Sequence, residues 1–179
     1  MPCMFIRALI HYCSDLFRKN DAQERRLVNT APQQGLNLNA YMGRWYEQAR
    51  YDHAFENGLD RVFTDYSMLP DGRVKITNNG TDGNGVPHRA GGMGSCPHGD
   101  GRLQVSFVPP YSWFRAPYHI LYATQGYTGA VVSGEDDRYL WLLTREQEPP
   151  RELMRELLGE ARARGFDTSR LRYTAQGKD

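Results

Sequence analysis

Few side chains in this chain are of a type and spacing to do chemistry, and they fall into two groups. The first is Glu47, in the run Gly43-Arg44-Trp45-Tyr46-Glu47-Gln48-Ala49-Arg50. In an extended strand alternate side chains share a face, so Trp45, Glu47 and Ala49 point one way and Arg44, Tyr46 and Gln48 the other. A carboxylate on a buried face is costly unless it is paired or wet. Glu47 is therefore expected in a structural pair with a nearby Tyr or Arg, or else as a group that orients a ligand head group or excludes a free carboxylate. The second group is His88, Cys96-Pro97-His98 and, further off, His53. A thiolate or imidazole there could ligate haem iron or a metal, although an ordinary loop explains the same residues. Serine-elbow, phosphate-loop, paired-cysteine zinc and His-Glu-x-x-His patterns are all absent. No catalytic or metal residue is assigned and no cofactor is expected, with haem as the weaker alternative.

The elements that must position these groups are strands. A short helical lead-in over 36–42 precedes strand one, 44–51, and a loop over 52–60 holding His53 and Phe55 should cross a barrel mouth. Strands two and three, 61–69 and 73–79, turn at Pro70-Asp71-Gly72, a strong reverse-turn signal. A fourth strand, 88–96, sits in a glycine-rich run and is expected to be irregular or mobile, because interior glycines weaken strands. Strand five, 102–108, stops at Pro109-Pro110 before the aromatic loop 111–114; strands six to eight follow at 117–124, 127–133 and 138–144. The fold class expected is all-β: an eight-stranded antiparallel up-and-down barrel, wide enough for one small ligand. After Pro149-Pro150 a helix to about Arg164 carries an apolar stripe of Leu153, Leu157, Leu158 and Ala161, stops at Gly165 and should pack outside the barrel. A last short strand covers 171–174. Gly43-x-Trp45 at the start and Arg145 closing the last long strand suit a closed barrel, with Trp45 plugging one end and the Arg145 guanidinium across its indole. Such a cation–π stack contributes roughly 0.5–2 kcal/mol.

The 179 residues suit one domain, 36–179, preceded by an amino-terminal arm and linker, 1–35. A formal charge of +1 gives no reason to expect nucleic acid. The 12% of aromatic residues suits a barrel lined by amphipathic rings, although packing alone accounts for it too. Three cysteines, Cys3, Cys13 and Cys96, allow one disulfide at most. No run reaches the ~20 apolar residues of a membrane span. Residues 4–10 make a poor signal-peptide core, broken by Arg7, and no small-residue cleavage site precedes Cys13. Read as a helix, Phe5, Ile6, Leu9, Ile10, Cys13, Leu16 and Phe17 share a face that could meet a membrane surface, pack on the barrel or join a homodimer contact. Residues 21–34 are polar and read as a linker.

Gly43-Arg44-Trp45-Tyr46-Glu47, Tyr127 with Gly129-Ala130-Val131-Val132, and Leu142-Leu143-Thr144-Arg145 together resemble the lipocalin family. Tyr51-Asp52-His53-Ala54-Phe55-Glu56 and 165–171 are similar to its bacterial branch, the one akin to apolipoprotein D. The resemblance covers about 36–175 in order and spacing. It implies a register: Tyr118, Ile120, Tyr122 and Thr124 inward on strand six, Gly129, Val131 and Ser133 on strand seven, and Tyr139, Trp141 and Leu143 on strand eight. With Glu47, Ala49 and Phe55 these give the expected ligand-binding set, and Gly43, Trp45 and Arg145 the structural closure. The implied function is carriage of a hydrophobic ligand of the fatty acid or lysophospholipid class, in the cell envelope or periplasm. The missing lipoprotein signal leaves a cytoplasmic placement open. Two alternatives stand beside it: a haem or tetrapyrrole binder, and a lipocalin-fold enzyme of isomerase or cyclase type using Glu47 and a pocket tyrosine.

Overall fold

The computed structural model describes residues 27–52, 58–107 and 115–177. A one-turn helix α1 (Leu38–Tyr41) leads into β1 (Gly43–Tyr51), and β2 (Leu59–Met68), β3 (Val74–Asp82), β4 (Pro87–Ser95), β5 (Arg102–Phe107), β6 (Arg115–Ala123), β7 (Gly129–Ser133) and β8 (Leu140–Thr144) follow in order. Each strand pairs antiparallel with the next, and β1 pairs with both β8 and β2, so the sheet closes into an up-and-down barrel. Helix α2 (Arg151–Ala163) and a last strand β9 (Leu171–Tyr173) complete the chain, β9 pairing with β1.

The apolar residues divide into two cores. Trp45, Tyr66, Val74, Ile76, Leu103, Val105, Ile120, Ala130, Val132 and Leu143 fill the barrel with Leu36 and Tyr41 of the lead-in. Ala49, Leu121, Val131, Leu140 and Leu142 face outward and pack on Leu157 and Ala161 of α2 and on Phe166. The stripe read from the sequence is thus the face of α2 that meets the barrel. Gly165 ends the helix with its amide donating to the Arg162 carbonyl and that of Phe166 to Ala161, a paired closure of the last turn.

Bulges set the register. One extra residue in β1, at Gln48, lies between the pairs Glu47↔Leu143 and Ala49↔Leu142. One in β6, at Leu121, lies between Ile120↔Val132 and Tyr122↔Val131. A bulge shifts the side-chain alternation by one residue. Ala49 and Tyr122 therefore face outward, against expectation, while Arg50 and Ala123 turn in. On β7 the expected alternation is inverted: Ala130 and Val132 face in, and Gly129, Val131 and Ser133 face out. The reason lies in the helix seat. A Cβ on Gly129 would sit 2.7 Å from Leu153 Cδ1 and 3.2 Å from the Leu157 methyls, so any side chain here would push the leucines of α2 off their seat. On β8, Tyr139, Trp141 and Leu143 have the expected inward register.

Strand β4 is regular, contrary to expectation, pairing with β3 over eight consecutive residue pairs without a bulge. Its inward Gly94 sits where a Cβ would press within 3.2 Å of Leu103 and 3.3 Å of Ile76, so neighbouring side chains fill the space that glycine leaves. The described end of the stretch read as a linker is likewise fastened down. Asn29 N donates to Arg164 O at 2.8 Å, Gln33 N to Ile120 O at 3.1 Å, and Arg164 reaches Ala31 O and Leu121 O at 2.7 and 2.6 Å.

Candidate ligand-binding calyx

The closed end of the barrel is built on Trp45, which is fully buried. Its indole N–H donates to the Tyr41 carbonyl at 2.7 Å, and the Tyr41 ring stacks on it with centroids 4.8 Å apart. The Arg145 guanidinium lies over the opposite side, 3.9 Å from the ring centroid. It also donates to the carbonyls of Ala40, Tyr41, Met42, Arg44 and Tyr127 at 2.7–3.1 Å. Those of 40–42 are the orphan acceptors at the end of α1, so one side chain both caps the lead-in helix and seals the barrel. Gly43 permits this approach. Its φ is 99°, and a Cβ there would meet Arg145 Nη1 at 3.0 Å. The structural assignment of Gly43, Trp45 and Arg145 matches this geometry.

Above the plug runs a chain of three tyrosine hydroxyls: Tyr41 to Tyr118 at 2.9 Å and Tyr118 to Tyr66 at 2.8 Å. Burial pushes the Tyr41 and Tyr118 phenols well above their usual pKa, with the nearby Tyr66 adding to it in both, so both stay protonated and neutral. Trp141 and Tyr139 stack farther along the wall, 5.8 Å between centroids and nearly parallel. Tyr118 and Trp141 face inward yet keep part of their surface exposed, as do Thr64, Asn78 and Ala90 by register. Room for water-sized molecules therefore remains inside the barrel above the plug, and the upper interior is not filled by the described side chains.

Glu47 is 2% exposed and is paired with Arg50, which the Gln48 bulge turns toward it and which is fully buried. Arg50 also donates to Thr174 Oγ1 at 3.1 Å and to the Leu59 carbonyl at 3.2 Å, and Thr174 donates to Glu47. Gln176 bridges the Glu47 and Val62 carbonyls. The structural pair foreseen for Glu47 is present. Its partner was legible only to a reader who knew of the bulge, because strict alternation puts Arg50 on the opposite face. Tyr41, Tyr66, Val132, Thr174 and Gln176 are further interior or bracing residues that the sequence did not single out.

Of the expected lining, Glu47, Tyr118, Ile120, Tyr139 and Trp141 share the interior face, whereas Ala49, Tyr122, Val131 and Ser133 lie on the outer face. Tyr122 donates instead to Glu156 of α2 at 2.5 Å, and that carboxylate pushes the phenol up to about 12. Ser133 donates to the Gly134 carbonyl at 2.9 Å. Phe55, His53, Cys3, Cys13 and the loop 111–114 lie outside the described residues. The weak metal set is not brought together. His88 pairs with Asp82 at 2.9 Å near the open end, while Cys96 and His98 follow β4 at the closed end. Eight extended residues separate His88 from Cys96 by roughly 26 Å. Among the described residues no three His, Cys, Asp or Glu side chains are grouped to hold a metal ion.

An antiparallel eight-stranded calyx, plugged by a tryptophan–arginine stack at one end and flanked by one helix, defines the class. A family model described as a lipocalin-like domain matches residues 36–176. The outer membrane lipoprotein Blc of Vibrio cholerae is 36% identical over 148 residues, spanning 81% of this chain and 85% of that protein. Temperature-induced lipocalin-1 of Arabidopsis thaliana is 34% identical over 154 residues, 79% and 80% of the two chains, and apolipoprotein D of Cavia porcellus is 26% identical over 157 residues, 83% and 81%. In fold the chain is similar to lobster apocrustacyanin A1, with a TM-score of 0.67 at 18% identity over 88% of this chain and 94% of that one. The chain belongs to the lipocalin family.

Proposed function

We propose that the chain binds a small hydrophobic ligand of the fatty acid or lysophospholipid class inside the barrel, and serves its carriage or storage in the cell envelope. The observation that carries this reading is the open upper interior. Tyr118 and Trp141 face inward and stay partly exposed above a sealed plug. An acyl chain entering there would lie against the uncovered faces of Tyr118 and Trp141, gaining about 25 cal/mol per Å2 of apolar surface removed from water. The tyrosine hydroxyls satisfy one another and the Glu47 carboxylate is neutralised by Arg50, so neither opposes an apolar tail. Similarity to outer membrane lipoproteins supports the envelope placement. Native mass spectrometry of purified protein tests the reading, together with its absorption spectrum. A co-purified mass of a fatty acid or lysophospholipid, displaced by added oleate, is expected. A visible Soret band, or a barrel that takes up no acyl chain at all, would overturn it.

A further inference from the structure

The outer wall carries a second cavity, of about 530 Å3, on strands β1 to β4. Its floor follows from the register. Tyr46, Phe63, Asn79 and Arg89 stand directly opposite one another on successive strands. They alternate with the inward Trp45 and Thr64 and so face outward. The Tyr46 and Phe63 rings lie 6.0 Å apart, tilted by 50° so that they form two walls of a notch, and the Arg44 guanidinium lies over Phe63 at 4.1 Å. Arg61 enters from the β2 bulge, where its φ is 51°.

The electrostatics are one-sided. Arg44, Arg61 and Arg89 line the cavity, and among the described residues no Asp or Glu does. Arg44 is neutralised by a two-pronged pair with Asp65 at 2.8 and 2.9 Å, and His88 is held by Asp82. Arg61 and Arg89 have no carboxylate within 4 Å among the described residues, although the chain carries 21 Asp and Glu and forms ion pairs over much of its surface. Two guanidiniums left without acids among the described residues, beside a notch of two aromatic rings and in a cavity within the size range of small-molecule sites, form an anion trap with an apolar wall. Guanidinium forks bind phosphate and carboxylate through paired hydrogen bonds and also stack on flat rings.

We propose that this cavity is a second binding site, separate from the calyx, for a small organic anion: a flat apolar body carrying a phosphate or carboxylate. The anionic group is held by Arg61 and Arg89, and the flat body lies against Tyr46 and the uncovered edge of Phe63, with the Asn79 amide beside it. This assignment does not depend on what occupies the barrel.

Titration of the full chain with 1-naphthyl phosphate, followed by NMR of the arginine Nε–H and tryptophan indole signals, tests it. Saturable shifts are expected at Arg61 and Arg89, with the Trp141 indole unmoved. The R61Q/R89Q variant should bind at least tenfold more weakly while its melting temperature stays as in the parent chain. Inorganic phosphate should bind at least tenfold more weakly than the naphthyl ester, because it lacks the flat body. Unchanged affinity in R61Q/R89Q, shifts confined to Trp141, or binding only to phosphatidylglycerol vesicles and not to the soluble ester would each overturn the proposal. Should the double variant lose its fold, Arg89→Gln alone carries the same test, since that side chain is exposed.

Discussion

Removing the Glu47 carboxylate breaks an ion pair buried inside the barrel, and the cost can be bounded from the geometry. Arg50 is fully buried, and after Glu47→Leu it keeps its hydrogen bonds to the Thr174 hydroxyl and the Leu59 carbonyl while losing the Glu47 charge. Breaking one side of a buried ion pair costs about 3–5 kcal/mol, whereas replacing both partners with apolar groups of similar volume is often neutral. Total stability is about 5–15 kcal/mol, so the single change spends a large share of it. For a chain of this length it lowers the melting temperature by roughly 6–20 °C. The double variant Glu47→Leu/Arg50→Met should recover most of the loss. The assay is urea unfolding followed by tryptophan fluorescence, with the slope m compared to confirm that the same surface unfolds. A loss under about 1 kcal/mol in Glu47→Leu, or a double variant as unstable as the single, would refute the buried-charge account. If acyl binding also survives in the double variant, the pair is a brace and not a ligand contact.

Three further outcomes are expected. Val132→Trp should fill the calyx and abolish oleate binding, while Val131→Trp, one residue along but under α2, should instead lower the melting temperature and spare affinity; the reverse pattern would show the register to be wrong. Trp45→Ala should cost about 3–5 kcal/mol through the cavity it leaves between Tyr41 and Arg145, so a wild-type melting curve would rule it out as the plug. His119, whose ring lies 3.2 Å from the Thr30 carbonyl, is held by burial below its usual pKa. The folded state thus favours the neutral imidazole. Its contribution is present above pH ~6.5 and is lost as pH falls below that, because the unfolded chain takes up the proton first. The protection factor of the Gln33 amide, its exchange rate divided out by the intrinsic rate at each pH, should fall between pH 7 and pH 5 in the parent chain and not in His119→Asn; identical protection profiles would remove His119 from the fastening.

The strands themselves were legible, because turn residues such as Pro70-Asp71-Gly72 punctuate alternating runs. The plug was legible from Gly43, Trp45 and Arg145. What could not be read was register. β7 is Gly129-Ala130-Val131-Val132-Ser133, apolar on both faces because the barrel core lies on one side and α2 on the other, so composition gives no preference for which face turns in. The bulges at Gln48 and Leu121 leave no local mark, and each moved one expected lining residue, Ala49 and Tyr122, to the outside. The strap ending in Gln33 has neither helical nor strand period. Its order comes from Arg164 and the β6 carbonyls, more than 80 residues away in sequence.

The seam where β1 leaves β2 has a consequence for how the protein is made. Above Tyr46 the gap between those strands is bridged by the last part of the chain: Thr174 N bonds Gln48 O, Arg61 N bonds Ala175 O, and Gln176 spans the Glu47 and Val62 carbonyls. These contacts join residues up to 129 positions apart. During synthesis strands β1 to β8 can leave the ribosome while the wall still gapes and Glu47 and Arg50 still lack Thr174 and Gln176. Such long-range closure is slow. The bridging residues 174–176 are made after all eight barrel strands, so these bonds can form only once the rest of the wall has been synthesised.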